Sequence, residues 1–275
     1  MRAVSLMYHD IIDPDALEGS GFSGRYGNRY TVERMPFLAH MAALSRHMNL
    51  RPSLAPDVLQ VWPGNPPVML TFDDGGLSAY TIVMDVLEQY GWKAHFFIAT
   101  DWIGHPHFMT PEHIRTLRNR GHVIGSHSCS HPSMMSSLGG GTILKEWVDS
   151  VNCLSDLLGE QVTTASIPGG YYSQQVAQAA SSSGIRALFT SEPTGRSHMV
   201  GDARVFGRYV VRPEMTPERQ AKLSQGDYLI RTREHASWMI KKLAKTIGGE
   251  AYLALRSRTL QRLQRRPSLL GKRCI

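Results

Sequence analysis

Short apolar, β-prone runs recur near residues 3–9, 68–72, 94–99, 122–126, 162–167, 185–190 and 205–211, with helical patterns between most of them. Thr31 to His47, Ser78 to Tyr90, and Ser173 to Ser183 ended by Gly184 are such patterns. In Thr110 to Gly121, Thr110 suits the N-cap, Pro111 the first helical position, Ile114 and Leu117 the inner face, and Gly121 the stop. Alternation of strand and helix argues for a parallel sheet, and seven such strands could close as a barrel. With 275 residues and 42% apolar content, the chain can bury the core of one α/β domain and still carry an appendage. No internal repeat or low-complexity tract interrupts it, and residues 10–30, rich in Gly, Arg and Tyr, read as a rim loop.

The expected boundary separates a barrel, 1–214, from a helical appendage, 215–275. Thr216 to Ser224, Tyr228 to Ile247 and Glu250 to Gln264 look helical, with no strand between them. Residues 231–275 hold twelve Lys or Arg against Glu234 and Glu250, a charge of +10, while the remainder carries −3. Trp238, Met239, Ile240, Leu243 and Ile247 could form an apolar stripe beside Lys241, Lys242 and Lys245, which suits either docking on the barrel or peripheral contact with an anionic membrane surface. No recognised nucleic-acid motif accompanies the charge, so nucleic acid is not an expected partner. Cys129, Cys153 and Cys274 are too few and too scattered for a disulfide framework. The N-terminus lacks a signal-peptide apolar core, and no run approaches the roughly 20 apolar residues of a spanning helix. The expectation is a cytoplasmic protein, with the inner membrane surface as its place of peripheral contact.

Chemistry concentrates at two strand ends. Val68 to Phe72 stops abruptly at Asp73-Asp74-Gly75-Gly76, and His122 to Ser126 leads into His127-Ser128-Cys129-Ser130-His131-Pro132. Adjacent carboxylates resist joint ionisation unless a cation or a proton lies between them. An H-x-x-x-H pair is often helical, but Ser128, Ser130 and Pro132 argue for a loop, which can still bring both rings to one ion. An Asp with two His leaves positions open for water, as a catalytic zinc site requires. Zinc is the default ion, with cobalt, nickel and manganese as alternatives. Cys129 could ligate as well, or simply pack. Barrel enzymes place their chemistry at strand C-termini, where His9, Asp73, Asp74, His127 and Pro168 all fall.

Thr71-Phe72-Asp73-Asp74-Gly75 together with His127 to Pro132 resemble the first two motifs of the polysaccharide deacetylases, the NodB-homology or carbohydrate esterase family 4 group. The resemblance covers roughly residues 3–212 and implies a distorted (β/α)7 barrel. It implies Asp73 as catalytic base and Asp74, His127 and His131 as metal ligands. Two departures stand out. The family's third motif often reads Arg-Pro-Pro-Tyr-Gly, or Ala-Tyr-Pro-Tyr-Gly in the poly-N-acetylglucosamine branch, whereas Ser166-Ile167-Pro168-Gly169-Gly170 stands here. The arginine that orients the base is therefore missing, and Gly169 has no tyrosine side chain, although its N–H could serve an oxyanion. The late Leu-x-His motif, source of the general acid, is not recognisable. His9, in a Tyr-His element similar to one in the poly-N-acetylglucosamine branch, is the candidate acid. Pro168, Gly169, Gly170 and Tyr171 are candidate substrate contacts, and Tyr171, Tyr172 and Trp102 could stack on sugar rings or merely pack.

The implied reaction is metal-assisted removal of an N-acetyl group from an amino sugar. Two alternatives stay open: a non-catalytic glycan-binding or scaffolding protein, and a hydrolase of cyclic amides or other small C–N bonds.

Overall fold

A computed structural model describes all residues except 15–19, 23–29, 48–50, 61–65, 241–242 and 244–275. The strands are β1 (Val4–Tyr8), β2 (Ile11–Ile12), β3 (Val32–Glu33), β4 (Val68–Phe72), β5 (His95–Ile98), β6 (Val123–Ser126), β7 (Thr164–Ser166), β8 (Ala187–Phe189), β9 (His198–Val200), β10 (Ala203–Phe206) and β11 (Tyr209–Val210). The helices are α1 (Arg34–His47), α2 (Ala55–Gln60), α3 (Met84–Gln89), α4 (Pro111–Asn119), α5 (Gly140–Leu158), α6 (Gln174–Ser182) and α7 (Pro217–Gln225).

Nine strands form one sheet in the order β11-β1-β4-β5-β6-β7-β8-β10-β9. Every pairing is parallel except β9 with β10. The run expected as one strand over 205–211 is divided: β10 pairs with β8 at one side of the sheet, and β11 pairs with β1 at the other. Only Gly207 and Arg208 separate them, so one bent segment serves both sides and the sheet curls back on itself. The bend requires glycine, because a Cβ on residue 207 would lie 2.5 Å from the Glu192 carbonyl oxygen and 2.5 Å from Thr194 Cγ2. This is the expected α/β barrel in curled form.

Alternation along the strands sends one face inward. Met69, Phe97, Phe189 and Phe206 fill the inside of the curl together with Ala55 and Val58 of α2. The other face packs against helices: Leu70, Phe72, Phe96 and Ile124 meet Val83, Leu87, Ile114 and Leu117. Helix α4 has the predicted start, with Thr110 Oγ1 accepting from the His113 N–H and Pro111 at its first turn. The helix expected over 78–90 opens as a π turn, Ala79–Val83, before becoming α3.

Contacts divide the chain into Met1–Arg231 and Thr232–Ile275. Helix α7, which the sequence assigns to the appendage, lies in the first unit and packs on α1. Residues 228–240 are helical, while Lys241, Lys242, Lys245, Ile247 and the helix expected over 250–264 lie outside the described residues. Among the described residues no helix is long and apolar enough to cross a membrane.

Candidate active site

Strand β4 delivers the two acids. The Asp73 N–H donates to the Tyr8 carbonyl at 3.0 Å, continuing the β1–β4 ladder one residue past β4. Asp74 then turns into the left-handed region at φ 77°, a costly conformation for a residue with a side chain. The turn separates the two carboxylates, which share His127 but otherwise take different partners.

Asp74 Oδ1 lies 3.3 Å from both His127 Nε2 and His131 Nε2. Among the described residues, Asp74, His127 and His131 are grouped by ligand atoms that all lie within 4.8 Å of one another. His127 Nδ1 donates to the Ser166 carbonyl at 2.9 Å, which fixes the proton there and leaves the Nε2 lone pair for an ion. Burial opposes ionisation of Asp74, but hydrogen bonds from His127 and His131 outweigh it and hold the carboxyl well below its ordinary range. Burial also opposes a charged His127, yet the charges of Asp73 and Asp74 raise its pKa. The pocket thus calls for positive charge between these groups, and the donor set fits a divalent ion.

Asp73 is held by a cation that the sequence reading did not find. Arg208, from the β10–β11 bend, donates from Nη1 to Asp73 Oδ1 at 2.7 Å and from Nη2 to Oδ2 at 2.8 Å. Its remaining donors reach Thr71 Oγ1 at 3.1 Å, Ser166 Oγ at 2.6 Å and the Thr190 carbonyl at 3.0 Å. Ser166 Oγ donates in turn to Asp73 Oδ2 at 3.1 Å. Burial works against the charge on Asp73, and Arg208, aided by His127, keeps its pKa lowered. An arginine thus engages Asp73 from the β10–β11 bend, whereas the third motif supplies none. A lone arginine inside the apolar run Val205 to Val211 was the signal available in the sequence.

The turn after β7, Pro168–Gly170, explains its own departure from the family pattern. Gly169 has φ 66° and Gly170 φ 70°. A Cβ on Gly169 would lie 2.7 Å from the Ser133 carbonyl oxygen, and one on Gly170 would lie 1.7 Å from Ser191 Oγ. No tyrosine fits in that backbone. Tyr171 follows the turn, half-buried.

His9 follows β1, half-buried, with its ring stacked on Tyr30 at 4.7 Å. Its Nδ1 is buried and meets no hydrogen-bond partner among the described residues. Burial lowers its pKa despite the nearby charges of Asp74 and Asp73, so the neutral imidazole is the resting form. The neighbouring Asp10, also missed in the sequence, is buried and accepts from Ser20 Oγ at 2.7 Å and Ser78 Oγ at 3.1 Å. Cys129 stands apart from the metal group: its Sγ donates to Asp101 Oδ1 at 3.0 Å, and burial pushes the thiol up to about 11. Trp102 packs with Phe22 and Phe108, and Phe22 lies 4.6 Å from the His131 ring, forming an aromatic wall beside that histidine.

A family model described as polysaccharide deacetylase matches residues 61–188. YxkH of Bacillus subtilis (strain 168), provisionally named a polysaccharide deacetylase, is 30% identical over 202 residues, which span 71% of this chain and 67% of YxkH. Two solved structures share the fold. IcaB from Ammonifex degensii matches with a TM-score of 0.66 at 21% identity, over 81% of this chain and 97% of that one. The Streptococcus pyogenes deacetylase PplD, solved with acetate, matches with a TM-score of 0.65 at 19% identity, over 79% of this chain and 96% of that one. An aspartate pair directly after β4, two histidines after β6 and this similarity to YxkH lead to one conclusion: the chain belongs to the polysaccharide deacetylase family.

Proposed function

We propose that this chain is a metal-dependent hydrolase that removes N-acetyl groups from an amino sugar in a glycan or glycan precursor. The observation that carries the reading is the division of labour between adjacent acids. Asp74 faces two imidazoles, whereas Asp73 is locked by Arg208 with its oxygens beside that group, 3.8 Å from His127 Nε2.

Asp74, His127 and His131 would hold the ion, zinc by default, with cobalt, nickel or manganese as alternatives. Bound there, a divalent ion supplies polarisation of the acetamide carbonyl and a lowered pKa for water. Asp73, kept ionised by Arg208, takes the proton of the attacking water. The Gly169 N–H is our candidate donor to the oxyanion, a contact worth about 3 kcal/mol where such donors have been removed in other enzymes. His9 is our candidate for protonating the departing amine, and its neutral resting state means that it must gain that proton during turnover. Acetate and a free amino sugar are the products. Pro168, Gly170 and Tyr171 are proposed to line the sugar side of the site.

Acetate release from a panel of acetylated oligosaccharides, peptidoglycan fragments and lipid- or nucleotide-linked precursors tests the reading, with small cyclic amides as the competing class. Release from an acetylated sugar that Asp73→Asn abolishes while metal binding persists is the expected result. Turnover confined to cyclic amides, or full activity in Asp73→Asn, contradicts it. We propose a cytoplasmic location with peripheral contact at an anionic membrane surface, the exposed Met239, Ile240 and Leu243 supporting the surface contact alone.

A further inference from the structure

We propose that Glu146, on α5, is a positioning residue that holds the loop between His127 and His131 in the conformation that presents both rings to one ion. The inference rests on the metal reading of Asp74, His127 and His131. This loop does not hold its shape through favourable backbone geometry. Ser128 at φ 62° and His131 at φ 56° are both left-handed without being glycine. Such conformations persist where the surroundings over-determine them.

Glu146 supplies much of that determination. The N–H groups of Cys129 and Ser130 both donate to its Oε2 at 2.9 Å, and Ser130 Oγ donates to its Oε1 at 2.7 Å. Both carboxylate oxygens are thus engaged by consecutive residues lying between the two histidines, in charge-assisted bonds that are stronger than neutral ones. On another side, the N–H groups of Thr100 and Asp101 donate to the carbonyls of Ser128 and Cys129 at 3.2 and 3.1 Å. The loop is gripped between these two sets of contacts.

The anchor itself is rigid. Flanking Glu146 on α5, Ile143 and Trp147 are wholly buried, and Trp147 Nε1 donates to the Val176 carbonyl at 3.2 Å. One turn further on, Ser150 Oγ accepts from Ser126 Oγ at 2.8 Å, and Ser126 Oγ accepts the Ser128 N–H at 3.1 Å. One helix therefore fixes the start and the middle of the loop. His127 has its own tether in the Ser166 carbonyl, so loss of Glu146 falls mainly on His131.

The test uses the full chain, stripped of metal and titrated with Zn2+ against a chromophoric chelator, with the visible spectrum of the Co2+ form and the melting temperature of the apo protein measured in parallel. Glu146→Ala is expected to weaken Zn2+ binding about tenfold or more and to change the Co2+ spectrum, while its apo melting temperature stays close to wild type. Glu146→Gln is expected to bind within about threefold of wild type, because its amide oxygen can accept both N–H groups while its NH2 turns toward the Ser130 hydroxyl. Lys145→Ala, on the same helix, should bind as wild type does. If Glu146→Ala does not fold, Glu146→Asp, one methylene shorter, takes its place with the same expectation. Wild-type affinity in Glu146→Ala, or a Glu146→Gln no better than Glu146→Ala, overturns the proposal. A wild-type chain that binds no Zn2+ would instead overturn the metal reading beneath it.

Discussion

Removing the Arg208 guanidinium should expose what it contributes to Asp73. Both residues are almost fully buried, Arg208 at 1% and Asp73 at 4% exposure, and two hydrogen bonds join them in a parallel fork. Taking away one member of such a pair strands a buried charge, at a cost of about 3–5 kcal/mol. One pKa unit corresponds to about 1.4 kcal/mol, so if the stranded carboxylate answers by taking up a proton, its pKa must rise by about two units or more. Arg208→Ala should therefore move the acid limb of kcat/KM for acetate release upward by about two pH units. Arg208→Lys keeps a charge without the fork and should fall between. The same pair sets a stability signature. Because the folded pKa of Asp73 is lowered, the pair stabilises the fold above the unfolded carboxylate value, about 4, and that stability is lost as pH falls through the folded value. Denaturant melts should show the gap between wild type and Arg208→Ala at its widest near neutrality and closing in acid. A folded Arg208→Ala whose acid limb coincides with that of wild type would refute the assignment of Asp73 as the base held ionised by Arg208.

Asp10 offers a second pH test with the opposite sign. Burial raises its pKa to about 7, so between roughly pH 4 and 7 the folded chain keeps a proton that the unfolded chain has lost, and this carboxyl subtracts stability as pH rises through that window. Asp10→Asn, whose amide oxygen can still accept from Ser20 and Ser78, should flatten that slope in chemical denaturation; an unchanged slope would rule out Asp10 as its source. Gly169→Ala must place a Cβ 2.7 Å from the Ser133 carbonyl oxygen at φ 66°, and should lose on the order of 2 kcal/mol in the same assay, whereas a neutral effect would mean the turn can relax.

The strands, the barrel class and the grouping of Asp74 with His127 and His131 were legible because each rests on local signals. Val68 to Phe72 ending in Asp73-Asp74, and His122 to Ser126 ending in His127, carry both their secondary structure and their chemistry within a few residues. Arg208 was less legible because its meaning is non-local: it depends on a bend at Gly207 that lets one segment pair with β8 and β1 at once. The same holds for Ser166, which serves Asp73 through its hydroxyl and His127 through its carbonyl. The sequence marks it only as the residue standing where the third motif has its arginine, and its position at the end of β7 gives it both partners. Gly169 reads in the sequence as a missing tyrosine side chain, and the neighbouring Ser133 carbonyl leaves no room for one there. The appendage boundary shifted because α7 buries Gln220, Ala221, Leu223 and Ser224 within the first unit, a packing that charge counting does not register.

Anomalous diffraction at the zinc edge, from crystals of the full chain grown with Zn2+, tests the central claim most directly. The account predicts a peak within bonding distance of Asp74, His127 Nε2 and His131 Nε2, with Asp73 still bound to Arg208 and outside the coordination sphere. Absence of a peak there at full zinc loading, or a peak bonded to Asp73 in place of Asp74, would contradict it.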